Sequence, residues 1–181
     1  MKYETLDKRY FPTKGLKTNI FYTIYTNLHT NTAYSSLATQ ITKIFPITLN
    51  TFIIPTIYGR FIFNDGIPFM YSNVIGGEGY NPHYEQQIPF SGLTHTESTL
   101  KLLGNAQIQV RHKFHEKQYL TLSGNYAIHQ NQFSNFLQGK KIYGTSIGYG
   151  YDSPLGPIEG FICYSNRTNK LGFYLNIGFG F

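Results

Sequence analysis

Residues 144–148 read Gly-Thr-Ser-Ile-Gly, the G-x-S-x-G spacing that in a hydrolase holds a serine hydroxyl on a sharp strand-to-helix turn beside backbone donors. The chemistry would be acyl transfer with Ser146 as nucleophile. The surroundings do not supply the turn: Ser146 lies inside an alternating segment, Tyr149 and Tyr151 follow, and no helix-forming stretch comes after it. Other reactive groups are equally isolated. His112 and His115 are three apart, which on a strand puts them on opposite faces, and a turn follows; they read as solvated histidines rather than metal ligands. Glu78 and Glu85 share one polar loop, where carboxylates are ordinarily hydrated. Glu159 alternates onto one face with Phe161 and Cys163 and could meet Arg60 or Arg111 as an interior pair. The single Cys163 has no partner for an internal disulfide and reads as a wall residue. No cofactor-binding pattern emerges, so none is expected.

Strands with a period of two must position these residues. In 100–113, Leu102, Gly104, Ala106, Ile108 and Val110 alternate with Leu103, Asn105, Gln107, Gln109 and Arg111. In 119–129, Leu120, Leu122, Tyr126 and Ile128 oppose Thr121, Ser123 and Asn125. The last segment sets Phe173, Leu175, Ile177, Phe179 and Phe181 against Tyr174, Asn176, Gly178 and Gly180. Each is a strand with one apolar face. Five more segments, 15–27, 35–45, 52–63, 142–151 and 157–165, follow the pattern less cleanly, and Pro55 weakens the third because it lacks a ladder donor. The expectation is eight antiparallel strands. Several are long enough for the ~9–11 residues that a tilted strand needs to cross a bilayer.

Composition agrees with strands: 31 Tyr and Phe and 18 Gly among 181 residues, with no Trp and 13% charged. The net charge of +6 is spread along the chain, so no nucleic-acid surface is expected. No apolar run approaches the ~18 residues of a membrane-crossing helix. The N-terminus has no apolar signal-peptide core, so an exported protein would be shown here in mature form or as a fragment.

The turns alternate in length. Short ones fall at 11–15, 47–50, 115–117 and 152–157, and longer or more polar links at 28–34, 64–98 and 131–140. Outer-membrane barrels have short periplasmic turns and longer external loops. Alternation alone does not decide which face looks outward, and a soluble β-barrel or sandwich binding an apolar ligand would hide its apolar face inside. The set Lys101, Asn105, Gln107, Gln109, Arg111 and Lys113 would suit a hydrated lumen, joined by Glu159. Aromatics at Tyr22, Tyr25, Phe61, Phe63, Tyr149, Tyr151 and Phe181 would suit interfacial girdles.

Three landmarks carry a family resemblance: TLDKRYFPTKG (5–15), YDSPLGPIEGFICYS (151–165) and FYLNIGFGF (173–181). In order and spacing the chain resembles the second half of the outer-membrane protein assembly factor superfamily, also called bacterial surface antigen barrels. There a D/N-x-x-x-F-P-T-x-G turn opens a middle strand, an S-P-[LI]-G-P turn joins the third-last and second-last strands, and a strand ending in Phe closes the barrel. The stretch 75–93 is most similar to the barrel that follows a patatin-like phospholipase domain. In the insertase branch the corresponding loop carries an Arg in a V-R-G-F type motif; residues 89–93 here read Pro-Phe-Ser-Gly-Leu, without Arg, which argues against direct insertase or secretion-pore activity. Patatin-type enzymes place an Asp-Gly motif after the nucleophile, whereas Asn64-Asp65-Gly66, like the Gly-rich Gly76-Gly77-Glu78-Gly79, precedes Ser146.

The resulting expectation is an all-β, antiparallel, transmembrane outer-membrane barrel of eight strands per chain, closed alone or as half of a two-chain ring. Residues 1–14 form a stub and periplasmic turn and 15–181 the barrel, with loop 64–98 external or lumenal. The resemblance implies a membrane anchor or passage rather than an enzyme, in the outer membrane of a Gram-negative bacterium. Its partners would be outer-membrane lipid, the barrel assembly machinery through Phe173, Leu175, Ile177, Phe179 and Phe181, and a second copy. Gly76, Gly77, Phe90 and Gly92 would belong to the lumen or gating loop; Ser153, Pro154, Gly156 and Pro157 would form a periplasmic turn.

Overall fold

The computed structural model describes residues 1–27, 32–63, 68, 71–77, 86–93 and 96–178. Its strands are β1 (Lys2–Glu4), β2 (Gly15–Asn27), β3 (Thr32–Pro46), β4 (Thr51–Ile62), β5 (Asn73–Ile75), β6 (Gln87–Ile88), β7 (Glu97–Thr99), β8 (Leu102–His115), β9 (Gln118–Gln130), β10 (Lys140–Ser153), β11 (Gly156–Ser165) and β12 (Leu171–Ile177). Nine of them form one sheet in the order β1-β2-β3-β4-β8-β9-β10-β11-β12, and β6-β5-β7 form a second, small one. Every neighbouring pair in the large sheet is antiparallel. The link from β4 to β8 therefore leaves the wall, builds the small sheet, and returns beside its starting point.

Eight long strands occupy the segments expected from the alternation. The ninth, β1, corrects that count: Lys2, Tyr3 and Glu4 pair with Asn19, Thr18 and Lys17 inside what reads as a stub. Pro55 lies within β4, opposite Ile108 of β8. On its other side the β3–β4 register runs to Thr42↔Thr56 and resumes at Phe45↔Ile53, so the ladder breaks where the donor is missing.

The sheet is rolled. Lys17, Gln40, Ile54, Gln109, Thr121 and Glu159, on six different strands, line one cavity of about 240 Å³. On β8 to β12 the inner positions are chiefly polar or small and the outer ones apolar. Asn125 is 5% exposed, Ser146 4% and Glu159 4%, whereas Leu122, Ile162 and Phe173 are 58%, 53% and 66% exposed. This arrangement inverts the one a soluble barrel needs, where the apolar face is hidden and the polar face meets water. Among the described residues β1 and β12 each pair on one side only.

The aromatics divide by position. Phe61 and Phe63 meet Phe133, and Phe61 also meets Phe136, in an outer cluster with the 3-10 segment Phe133–Gln138. Tyr22 and Tyr149 also stay exposed. Tyr25 departs from the girdle: it lines an interior cavity and packs on Tyr71, because odd positions of β2 face inward. Phe179 and Phe181 lie outside the described residues.

Candidate functional site: the stoppered interior

Two segments enter the roll from opposite ends. At the short-turn end, link 5–14 folds over the carboxylate of Asp7. Asp7 Oδ1 accepts from the Thr13 N–H at 2.8 Å and the Lys14 N–H at 3.2 Å, and Oδ2 from the Thr13 hydroxyl at 2.5 Å. Burial works to raise the Asp7 pKa, but these hydrogen bonds outweigh it and hold the carboxyl below its ordinary 3.8. The clasp throws Phe11 inward at φ 46°. There it is fully buried, stacked on Tyr119 with centroids 4.2 Å apart, under the Arg111 guanidinium at 5.3 Å. Gly15, at φ 125°, ends the turn where a Cβ would lie 2.5 Å from the Thr5 carbonyl oxygen. The D-x-x-x-F-P-T-x-G pattern is thus a clasp, an inserted ring and a close approach.

At the long-loop end, β5 to β7 carry Ile75, Ile88, Phe90 and Leu93 onto Leu103, Ala127 and Ile142 of the wall. Arg60 holds the base of this insertion: its Nη1 donates to Asn73 Oδ1 at 2.7 Å and the Tyr71 carbonyl at 3.2 Å, and Nη2 to Ser36 Oγ at 3.4 Å. The Asn73 amide donates onward to the carbonyls of Leu100 and Lys101, at 2.9 and 2.8 Å. One side-chain pair therefore ties both ends of the link to the wall. Asn73 carried no recognisable sequence signal, since a lone Asn in a polar loop reads as a turn residue.

Within the insertion the expected loop residues do come together. The Gly77 N–H donates to the Leu93 carbonyl at 2.6 Å, the Phe90 N–H to the Gly77 carbonyl at 2.9 Å, and the Gln87 amide to the Gly76 carbonyl at 2.7 Å. Gly76, Gly77 and Gly92 have φ of 120°, 73° and 86°, where side chains other than hydrogen are strained. Gly92 lies against the backbone of Tyr164 and Ser165, and Ser91 against Gly144, so closely that a Cβ on either glycine would overlap backbone. Asp65, Glu78 and Glu85 lie outside the described residues.

Ser146 faces inward from the middle of β10, level with Ser123 and Cys163 on its neighbours. Its hydroxyl shares hydrogen bonds with Ser123 at 2.5 Å and Ser91 at 3.2 Å, and Ser91 meets Ser123 at 3.1 Å. Three hydroxyls join the loop to two wall strands. The strand-to-helix elbow that G-x-S-x-G would require is replaced by a continuous ladder.

Of the expected polar wall, Asn105, Gln107, Gln109, Arg111 and Glu159 all turn inward. Lys101 precedes β8 in a bend, where its carbonyl accepts from Asn73 and from the Ile62 N–H, so it belongs to the loop anchorage. Arg60 serves Asn73 rather than Glu159. Arg111 shares the cavity with Glu159. His112 lies on the outer face, with Nδ1 2.9 Å from the Thr51 hydroxyl. Ser153, Pro154, Gly156 and Pro157 form the expected hairpin: Ser153 pairs Gly156 across a two-residue turn, its hydroxyl donates to the Gly156 carbonyl at 2.5 Å, and Gly156 takes φ 108°.

A protein-family model described as the OMP85 superfamily matches residues 1–181. No curated protein matches the chain.

Proposed function

The chain belongs to the OMP85 superfamily, which makes it in general an outer-membrane β-barrel of the assembly and secretion type; from that premise we propose that it acts as a lipid-embedded anchor or gated passage, stoppered from both ends. The observation that supports this reading is the inverted polarity of the wall: Ile108, Leu122, Ile147, Ile162 and Phe173 outward, Gln109, Asn125, Ser146 and Glu159 inward. Hydrocarbon solvates the first set, and an antiparallel ladder satisfies the backbone there. Segment 86–93 is the stopper, and its release would open the passage.

The proposal extends to membrane partners. The outward Phe173, Leu175 and Ile177 of β12 offer the barrel assembly machinery an apolar terminal strand. Among the described residues β1 and β12 pair on one side only, and unpaired backbone is costly in lipid; a second copy joined edge to edge is the partner proposed for them. Loop 75–93, lacking an Arg at 89–93, favours the patatin-associated branch over a direct insertase, and no catalytic role falls to Ser146.

Heat-modifiable migration on a detergent gel tests the barrel. The folded protein should migrate faster unheated than boiled, and a chain that stays folded and soluble without detergent overturns the proposal. Detergent-corrected mass tests closure, with a pair expected at twice the 20.8 kDa chain. Esterase turnover that disappears in Ser146→Ala would restore the hydrolase.

A further inference from the structure

We propose that the interior cavity beside Arg111 binds a small oxyanion of carboxylate or phosphate type. Arg111 is 6% exposed on β8, and its Nε and Nη1 are buried without a hydrogen-bond partner among the described residues. An arginine side chain keeps its charge at any pH a protein survives, so burial cannot be relieved by losing a proton. The Phe11 ring covers the guanidinium at 5.3 Å and supplies attraction to the charge, but no acceptor for the N–H groups. A guanidinium buried with unmade hydrogen bonds is costly, and an oxyanion is the acceptor that answers both its charge and its donors.

The cavity has room for one. Its volume of about 240 Å³ holds a small oxyanion with several waters. Its lining includes Arg9, Lys17, Gln107, Gln109 and Thr121, which add positive charge and further donors. Glu159 is the opposing carboxylate in the same lining. The lining thus carries three cationic side chains, Arg9, Lys17 and Arg111, and one carboxylate, Glu159, with Lys17 also 3.8 Å from Glu4. The ligand would bind between the two stoppers, beside Arg9 and Pro12 of one and Pro89, Phe90 and Ser91 of the other.

The site rests on the reading of this face as a lumen, and the test separates the two. Inorganic phosphate and acetate are titrated into detergent-solubilised protein at constant ionic strength, by calorimetry and by the arginine Nε–H resonances. Saturable binding with a shift of one buried arginine signal is expected. Arg111→Gln should weaken it by about tenfold to a hundredfold, the weight of charge-assisted hydrogen bonds, while Lys43→Gln on the outer face should leave it unchanged. Should Arg111→Gln not fold, Arg111→Lys keeps the charge without the planar donors and must also bind more weakly. No saturable binding by the unaltered protein, or equal binding by the Arg111 variants, overturns the site; retained heat-modifiable migration in that event leaves the barrel standing.

Discussion

Phe11 and Phe90 are both fully buried, yet they reach the interior from opposite ends and are retained by different means. Phe11 rides a short link clasped on itself by Asp7, and its ring is gripped by side chains, Tyr119 below and Arg111 above. Phe90 rides link 63–101, whose side-chain ties through Asn73 and Ser91 are joined by close backbone approaches that the other end lacks around its ring: Ser91 against Gly144, and Gly92 against Tyr164 and Ser165. Side-chain grips yield by rotating. Backbone grips hold until a whole segment leaves, which suits a stopper that must be either in or out.

The largest contrast comes from truncating the two rings. Phe11→Ala and Phe90→Ala each remove a buried phenyl, a loss of about 3–5 kcal/mol where the surroundings do not collapse. Phe11 joins the link between the first two strands to β8 and β9, so its loss should lower the urea midpoint of the whole sheet. Phe90 belongs to a link whose flanking strands stay paired over eleven positions, Thr51↔His112 through Phe61↔Leu102. Its loss should leave that midpoint near the original while limited proteolysis cuts between 71 and 93. Matching behaviour of the two variants would break the comparison.

Two glycines on β10 sharpen it. A Cβ at Gly144 would overlap the Ser91 carbonyl, whereas one at Gly150 would meet the Phe11 ring at 2.8 Å. Backbone cannot step aside but a ring can. Gly144→Ala should therefore cost about 3 kcal/mol and expose 86–93 to protease, and Gly150→Ala about 1 kcal/mol, both read from unfolding midpoints. Equal costs would mean that the loop is as yielding as the ring.

How much of this was readable beforehand follows from the range of each interaction. The eight long strands were legible because alternation is local, and two of the landmark motifs were legible because each turn makes its own bonds: Asp7 with Thr13, Ser153 with Gly156. β1 was not, since a three-residue strand of Lys, Tyr and Glu carries no periodicity. The direction of the wall was suggested by Gln107, Gln109 and Arg111 but became clear only when exposure fell on Leu122 and Phe173. Arg60–Asn73 and the Ser91, Ser123 and Ser146 hydroxyls stayed hidden because their members are 13, 32 and 55 residues apart. G-x-S-x-G carries no catalytic meaning by itself for the same reason: a small-residue face that admits a loop spells the same letters as an elbow.

That hydroxyl cluster should contribute modestly. Ser146→Ala deletes one member and leaves the Ser91–Ser123 contact in place, so the net cost should be about 1 kcal/mol, the weight of one buried hydrogen bond. The change should appear mainly as faster cleavage of 86–93. A loss as large as that of Gly144→Ala would mean that the hydroxyls, rather than the close backbone fit, retain the stopper.

The smallest effect lies at the other end and has a pH signature. Hydrogen bonds from Thr13 and Lys14 hold Asp7 below its ordinary 3.8, so near that value the unfolded chain binds more protons than the folded one. The charged clasp therefore contributes fully above about pH 5, begins to weaken as pH falls through the unfolded value, and is lost below the folded one. Asp7→Asn keeps an acceptor for the Thr13 N–H and removes the charge. Because the carboxylate is exposed, its charge is screened, and the variant should lose only about 0.5 kcal/mol at neutral pH, at the low end of what capping side chains contribute. The gap between the two proteins should close on acidification toward pH 3, measured as urea midpoints in detergent. A gap that stays constant from pH 7 to 3 would show that the clasp holds Phe11 by shape alone, which would bring the short-turn end closer to the backbone grip of the long-loop end.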